Sequence, residues 1–191
     1  LPLCLLVITG AAVLAMMFNK AQIVIERAGS VLVTLVFLLY PGIVTRVFMT
    51  LKCRQIGDKQ FLVADSSVIC WEGQHAQYYT TMVFFVFIYV IGIPAGSTFL
   101  LYMNRHILNV DEEEEDPELA SRAESFQNVF GQLYDAYSEK YWYFESIIMI
   151  QKALLTGGLV LVSPGSSAQI LVGLVIALTF YTLVLKLKPY D

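Results

Sequence analysis

The chain has 191 residues, 57% of them hydrophobic and 15% charged, with a formal net charge of −4 and a mean hydropathy of +0.65. A soluble domain averages nearer half apolar and about a quarter charged, so a soluble globule is disfavoured. Most of the net charge comes from one acidic run and no basic patch is present, which argues against a nucleic-acid-binding protein.

The apolar residues fall in runs, and a helix needs about 20 of them to cross a bilayer. Five segments qualify by sequence: 1–18, 30–51, 80–103, 141–162 and 169–187. None alternates with period 2, so the reading is an all-α polytopic helix bundle rather than a barrel. The chain opens on Leu1-Pro2-Leu3-Cys4, already apolar, with neither an initiator Met nor the basic start of a signal peptide. It reads as a fragment, a processed form or the ordered part of a longer chain. Cys4, inside the first span, is expected to act as a small apolar residue.

A polar loop is expected over 19–29, followed by the second span, which carries Pro41-Gly42 midway and Arg46 further on. Residues 52–79 form a polar loop containing CRQIGDKQFLVADSSVIC at 53–70. Gly57-Asp58 is expected to turn a small hairpin between Arg54-Gln55-Ile56 and Gln60–Val63. The third span contains Gly92 and Pro94. Proline removes a backbone donor and clashes with the preceding turn, so Pro41, Gly42, Gly92 and Pro94 mark expected kinks. These are either ordinary membrane-helix kinks or a gating hinge.

Residues 111–118, DEEEEDPE, read as a solvated linker, because adjacent like charges repel. They lack calcium-loop spacing. Asp116-Pro117-Glu118 then has the composition of a helix start. Phe126, Phe130, Leu133, Tyr137 and Tyr141 recur every three or four residues beyond it, which predicts an amphipathic helix at the membrane interface or docked on a partner.

The fourth span reads YWYFESIIMIQKALLTGGLVLV. Tyr141, Trp142 and Tyr143 suit an interfacial belt. Glu145 and Lys152 are seven apart, hence on one face and roughly 10 Å apart along the axis. Charges inside a span face protein or water rather than lipid. They predict either an ion pair pinning this helix to its neighbours or part of an ion or proton pathway. Gly157-Gly158 suits close helix contact.

Alternating sides groups Lys20, Arg27, Arg105, Arg122, Lys140, Lys186 and Lys188 at one surface, against Lys52, Arg54 and Lys59 at the other. The positive-inside rule places the first group, the acidic loop and the C-terminus in the cytosol. The 53–70 loop is then extracytoplasmic, where disulfides persist, and a Cys53–Cys70 disulfide closing the hairpin is predicted. Loop-closure arguments put such a bridge at roughly 3 kcal/mol. Enzyme chemistry is missing. His75 and His106 fall at opposite surfaces, and no nucleotide loop, metal motif or nucleophile elbow appears. The expectation is no enzyme, no metal and no cofactor, a pigment or haem on one histidine being the remote alternative.

Several phrases occur together: FLLYPGIVTRVF at 37–48, CRQIGDKQFLVADSSVIC at 53–70, YVIGIPAGSTFLLYMNR at 89–105, FGQLYDAYSEKYWYFESIIMIQKALLTGGLVLV at 130–162 and KLKPYD at 186–191. Their order resembles the TRP-like carboxy-terminal transmembrane region of large surface proteins of algae, dinoflagellates and oomycetes. The resemblance covers about residues 30–191. It rests on Tyr40-Pro41, Cys53-Arg54, Gly92-Ile93-Pro94 and the Glu145 and Lys152 of the fourth span.

The resemblance implies a cation-channel-like or sensory membrane domain of a larger protein, in a plasma or flagellar membrane, with an organellar membrane the alternative. It also implies an upstream extracytoplasmic region or other protein chains as partners, besides lipid. One feature opposes conduction. The last two spans are joined by about five residues, too few for a selectivity filter of backbone carbonyls or a charged ring. The alternative is a non-conducting anchor or accessory subunit of a larger membrane assembly.

Overall fold

The computed structural model describes residues 2–108, 116–162 and 165–190, with the backbone alone for 2–19 and for Gln74, Ala76 and Gln77. The acidic residues 111–115 and the turn residues 163–164 lie outside it. In chain order come α1 (Pro2–Leu51), the hairpin strands β1 (Cys53–Ile56) and β2 (Lys59–Leu62), then α2 (Gln74–Phe85). A π-helical stretch, Val86–Ile91, leads into α3 (Gly92–Met103). Then follow α4 (Pro117–Phe130), α5 (Phe144–Ala153), a second π-helical stretch (Leu154–Gly158), α6 (Leu159–Leu161) and α7 (Ser167–Leu187).

Among the described residues, four stretches are long and apolar enough to cross a membrane: Lys20–Leu51, Tyr78–Met103, Phe144–Leu161 and Ser167–Leu187. Their flanks carry many exposed large apolar side chains, among them Leu38, Phe84, Phe99, Ile170 and Tyr181. Exposed apolar surface on this scale belongs against lipid. No residue of α7 is buried.

The expected fifth span changes character. Residues 19–29 are helical, and α1 runs unbroken for 50 residues, about 75 Å at 1.5 Å per residue. Residues 1–18 and 30–51 are therefore not antiparallel spans joined by a loop. Asn19–Ala28 contains neither glycine nor proline, and polar residues end a membrane span without ending a helix. The outward polar groups find a protein partner instead: Gln22 donates to Ser125, and Asn128 to Glu26, across the α1–α4 contact.

The hairpin forms as expected. Cys53 pairs with Leu62 and Ile56 with Lys59, leaving Gly57-Asp58 as the two-residue turn. Gly57 has φ +62°, the conformation this turn requires and glycine adopts freely. The return strand is laced down by Leu62 N–H to Val68 O and Cys70 N–H to Gln60 O. The Cys53–Cys70 disulfide is present, with the two Cα atoms 6.3 Å apart.

Asp116 caps α4 by accepting from the Glu118 amide, with Pro117 in the first turn. The helix stops at Phe130, however, short of the expected Tyr141. A short 3-10 turn at Gly131–Leu133 and further turns follow. Leu133, Tyr134 and Tyr137 are buried, so the aromatic spacing beyond Phe130 reflects a chain folding back into the bundle.

Two core clusters hold the helices. Tyr40 and Val44 of α1 meet Met149 and Ala153 of α5, with Phe37, Phe48, Tyr89, Val90 and Ile93 against them. Leu101, Leu108, Leu133 and Tyr134 form the second, with Phe37, Phe126 and Trp142 alongside. At the first, α1 crosses the second π-helical stretch at Gly157. A Cβ there would lie 2.5 Å from both Val44 Cγ1 and Phe48 Cδ2, whereas at Gly158 its nearest neighbour is Leu154 Cδ2 at 3.7 Å. Gly157→Ala is expected to destabilise the bundle by about 1–3 kcal/mol, and Gly158→Ala by under about 0.5 kcal/mol. Thermal unfolding of both variants in one detergent checks this; equal melting temperatures would refute the seam.

Candidate functional site

Pro94 has no N–H to give the carbonyl four residues back, that of Val90. The preceding chain relaxes into the π-helical stretch, where the Gly92 N–H bonds Phe87 O. The freed Val90 carbonyl accepts instead from the Tyr40 hydroxyl at 2.8 Å, and Tyr40 is fully buried. Where no water is at hand, an unmet carbonyl costs several kcal/mol, so Tyr40 binds α1 to the third span at the proline. Pro41 lies within α1; its own carbonyl accepts from Thr45 at 2.8 Å and Thr156 at 3.4 Å. Gly42 has open space around it.

Glu145 and Lys152 do pair. Lys152 Nζ donates to Glu145 Oε1 at 3.2 Å, and the Tyr137 hydroxyl donates to Oε2 at 2.6 Å. The Tyr137 partner lay beyond sequence reasoning, because an unbroken helix through 137 would not return it to the fourth span. Burial first, and then the Glu145 carboxylate, push the Tyr137 phenol well above its usual range, so it stays protonated and donates. Tyr190 stacks on the same ring, with centroids 5.3 Å apart, and the Ser138 N–H bonds Pro189 O. The C-terminal Pro189 and Tyr190 thus pack beside this carboxylate.

Glu145 is 17% exposed at its side chain and Lys152 43%. The ammonium opens on a notch of about 370 Å³ lined by Thr34, Phe37, Leu38, Pro41 and Gln132. Gln132 is tied in by Thr34 at 2.8 Å. Beyond Lys152 the way is filled by Tyr40, Val44, Met149 and Ala153. Arg46 is exposed on α1, away from this group.

At the hairpin end, Lys52 Nζ donates to the carbonyls of Val160 and Val162. These groups end the fourth span without further helical donors. Burial lowers the Lys52 pKa. Cys53, Cys70 and His75 also meet here, with the two Sγ atoms and a ring nitrogen within 4.8 Å of one another. The sulfurs are bonded to each other and so are not thiolate ligands. Trp71 N–H donates to His75 Nδ1 at 3.1 Å, and the rings of Trp71 and Tyr79 pack beside it. His106 is exposed, beyond the other end of the third span.

Since Glu145 holds two donors and is the less exposed partner, Glu145→Ala is expected to cost about 2 kcal/mol. Lys152→Ala should cost about 1 kcal/mol, its ammonium being half-solvated. Thermal melts of the two variants decide it, and the reverse order would contradict this ranking.

No family model matches the chain, and no solved structure matches it. The chain is similar to Cysteine repeat modular protein A of Toxoplasma gondii, 25% identical over 187 residues. The match covers 91% of this chain, which spans 6% of the length of that curated relative.

Proposed function

We propose that this chain is a multi-pass membrane module that anchors a longer protein and conducts nothing by itself. The observation that carries this is the lack of a polar path among the described residues: a cavity of about 360 Å³ lies between the third and fourth spans, but it is lined mostly by apolar side chains such as Val90, Ile91, Ile150 and Leu154. Tyr40, Val44, Met149 and Ala153 pack between the first and fourth spans, and the intramembrane carboxylate is satisfied by Lys152 and Tyr137. Paired charges of this kind serve helix association without a path. The Lys152 ammonium at the mouth of the notch would also repel an entering cation.

Other features support the same reading. The similar Toxoplasma protein is far longer and is named for cysteine repeats, which suits a small membrane piece of a large, disulfide-rich protein. We place the hairpin on the extracytoplasmic side and α4 with the tail in the cytosol. Lys52 is spent on helix carbonyls, which leaves Arg54 and Lys59 as the loop's basic residues against the larger opposite group. The partners are then lipid and the remainder of the longer protein, and the role is not enzymatic.

A cation-channel-like or sensory role, which the TRP-like resemblance implies, draws on one feature, the notch at Lys152. Planar-bilayer recording on the reconstituted chain separates the two. The expected result is conductance no greater than that of empty bilayers. Cation current lost on Lys152→Ala, with the variant still folded, would overturn the anchor reading.

A further inference from the structure

The disulfide end of the hairpin holds a polar atom without a partner. His75 is 4% exposed, and its Nε2 is the one buried side-chain nitrogen or oxygen without a hydrogen bond among the described residues. The Trp71 amide donates to Nδ1. That nitrogen therefore presents its lone pair, and the neutral ring carries its proton on Nε2. A ring nitrogen of this histidine lies within 4.8 Å of the two sulfurs, so the dry imidazole with its N–H sits beside the disulfide.

A disulfide sulfur is a poor acceptor, whereas a thiolate accepts strongly. The same tautomer argues against a metal, which would need a lone pair on Nε2. The two sulfurs also differ in access. Cys70 is 4% exposed, while Cys53, at the start of β1, is half-buried.

We propose that Cys53–Cys70 is an exchange-active disulfide, opened by a thiol at Cys53 with Cys70 leaving onto the His75 Nε2–H. The attacking thiolate forms an S–S bond to Cys53 Sγ as the Cys53–Cys70 bond breaks. Cys70 takes the bonding pair and leaves as a thiolate, which accepts from Nε2–H. A second thiol then displaces Cys53, so the two protein sulfurs gain two electrons and the two attacking thiols are left joined as a disulfide. A stabilised leaving thiolate speeds exchange. The backbone bonds from Leu62 to Val68 and from Cys70 to Gln60 do not depend on the bridge. Opening it therefore removes the covalent tie between β1, next to α1, and the turn entering α2 while the hairpin ladder persists.

The test uses the whole chain in detergent with Cys4→Ser, which leaves Cys53 and Cys70 as its cysteines. It is exposed to glutathione, quenched with a maleimide and mapped by peptide mass. Glutathione on Cys53 with maleimide on Cys70 is the expected trap. His75→Phe should slow the first exchange about tenfold, and His75→Gln, which keeps an N–H near the ε position, should stay within about threefold of the parent. Glutathione on Cys70, an equal split, or no mixed disulfide would each overturn the proposal, as would His75→Phe exchanging at the parental rate. The parental trap decides the matter even if the phenylalanine variant does not fold. Stoichiometric zinc binding to the reduced protein that blocks maleimide at both cysteines would also overturn it, in favour of a metal site.

Discussion

Everything in the bundle leans on the contact between α1 and the fourth span at Gly157. There the π-helical stretch brings a glycine against Val44 and Phe48 with no room for a methyl group. In lipid there is little hydrophobic drive between helices, so close packing at small residues and interhelical polar bonds carry association. The seam supplies the first, and Tyr40 to Val90, a few residues along α1, supplies the second. Met149 and Ala153 fill the space between the two.

Several polar groups in and beside the spans find partners inside the protein, where the bilayer offers none. Proline at 94 strips Val90 of its helical donor, and a tyrosine from another span replaces it. The last turn of the fourth span has free carbonyls, and Lys52 from the end of α1 takes them. Glu145 is held between a lysine two turns along its own helix and a phenol that returns from the turns after α4. These bonds tie successive elements to one another. His75 Nε2 has no such partner, and its ring lies beside the disulfide.

Local rules read well where chain chemistry alone decides. Gly57-Asp58 between two short strands specified the hairpin and its register. Asp116-Pro117 specified the start of α4. Glu145 and Lys152 at a spacing of seven specified a shared face and, with it, the ion pair. A polar stretch does not by itself mark a loop. Residues 19–29 keep their backbone bonds within α1, and Gln22 and Glu26 bond α4. Likewise the aromatic period past Phe130 matched a helix, but tight turns buried the same side chains.

Apolar run length, a turn dipeptide between two cysteines and two charges seven apart already mark a helical chain with a disulfide-closed hairpin and a charge pair inside one span. Run length, turn chemistry and residue spacing are local quantities, and each acts on its own segment. Only the tertiary structure decided which partners meet: Tyr40 with the carbonyl freed at Pro94, Tyr137 with Glu145, Lys52 with the end of the fourth span, and His75 with the two sulfurs. Those pairings depend on how the helices cross and where the chain turns back. No spacing along a single segment encodes them.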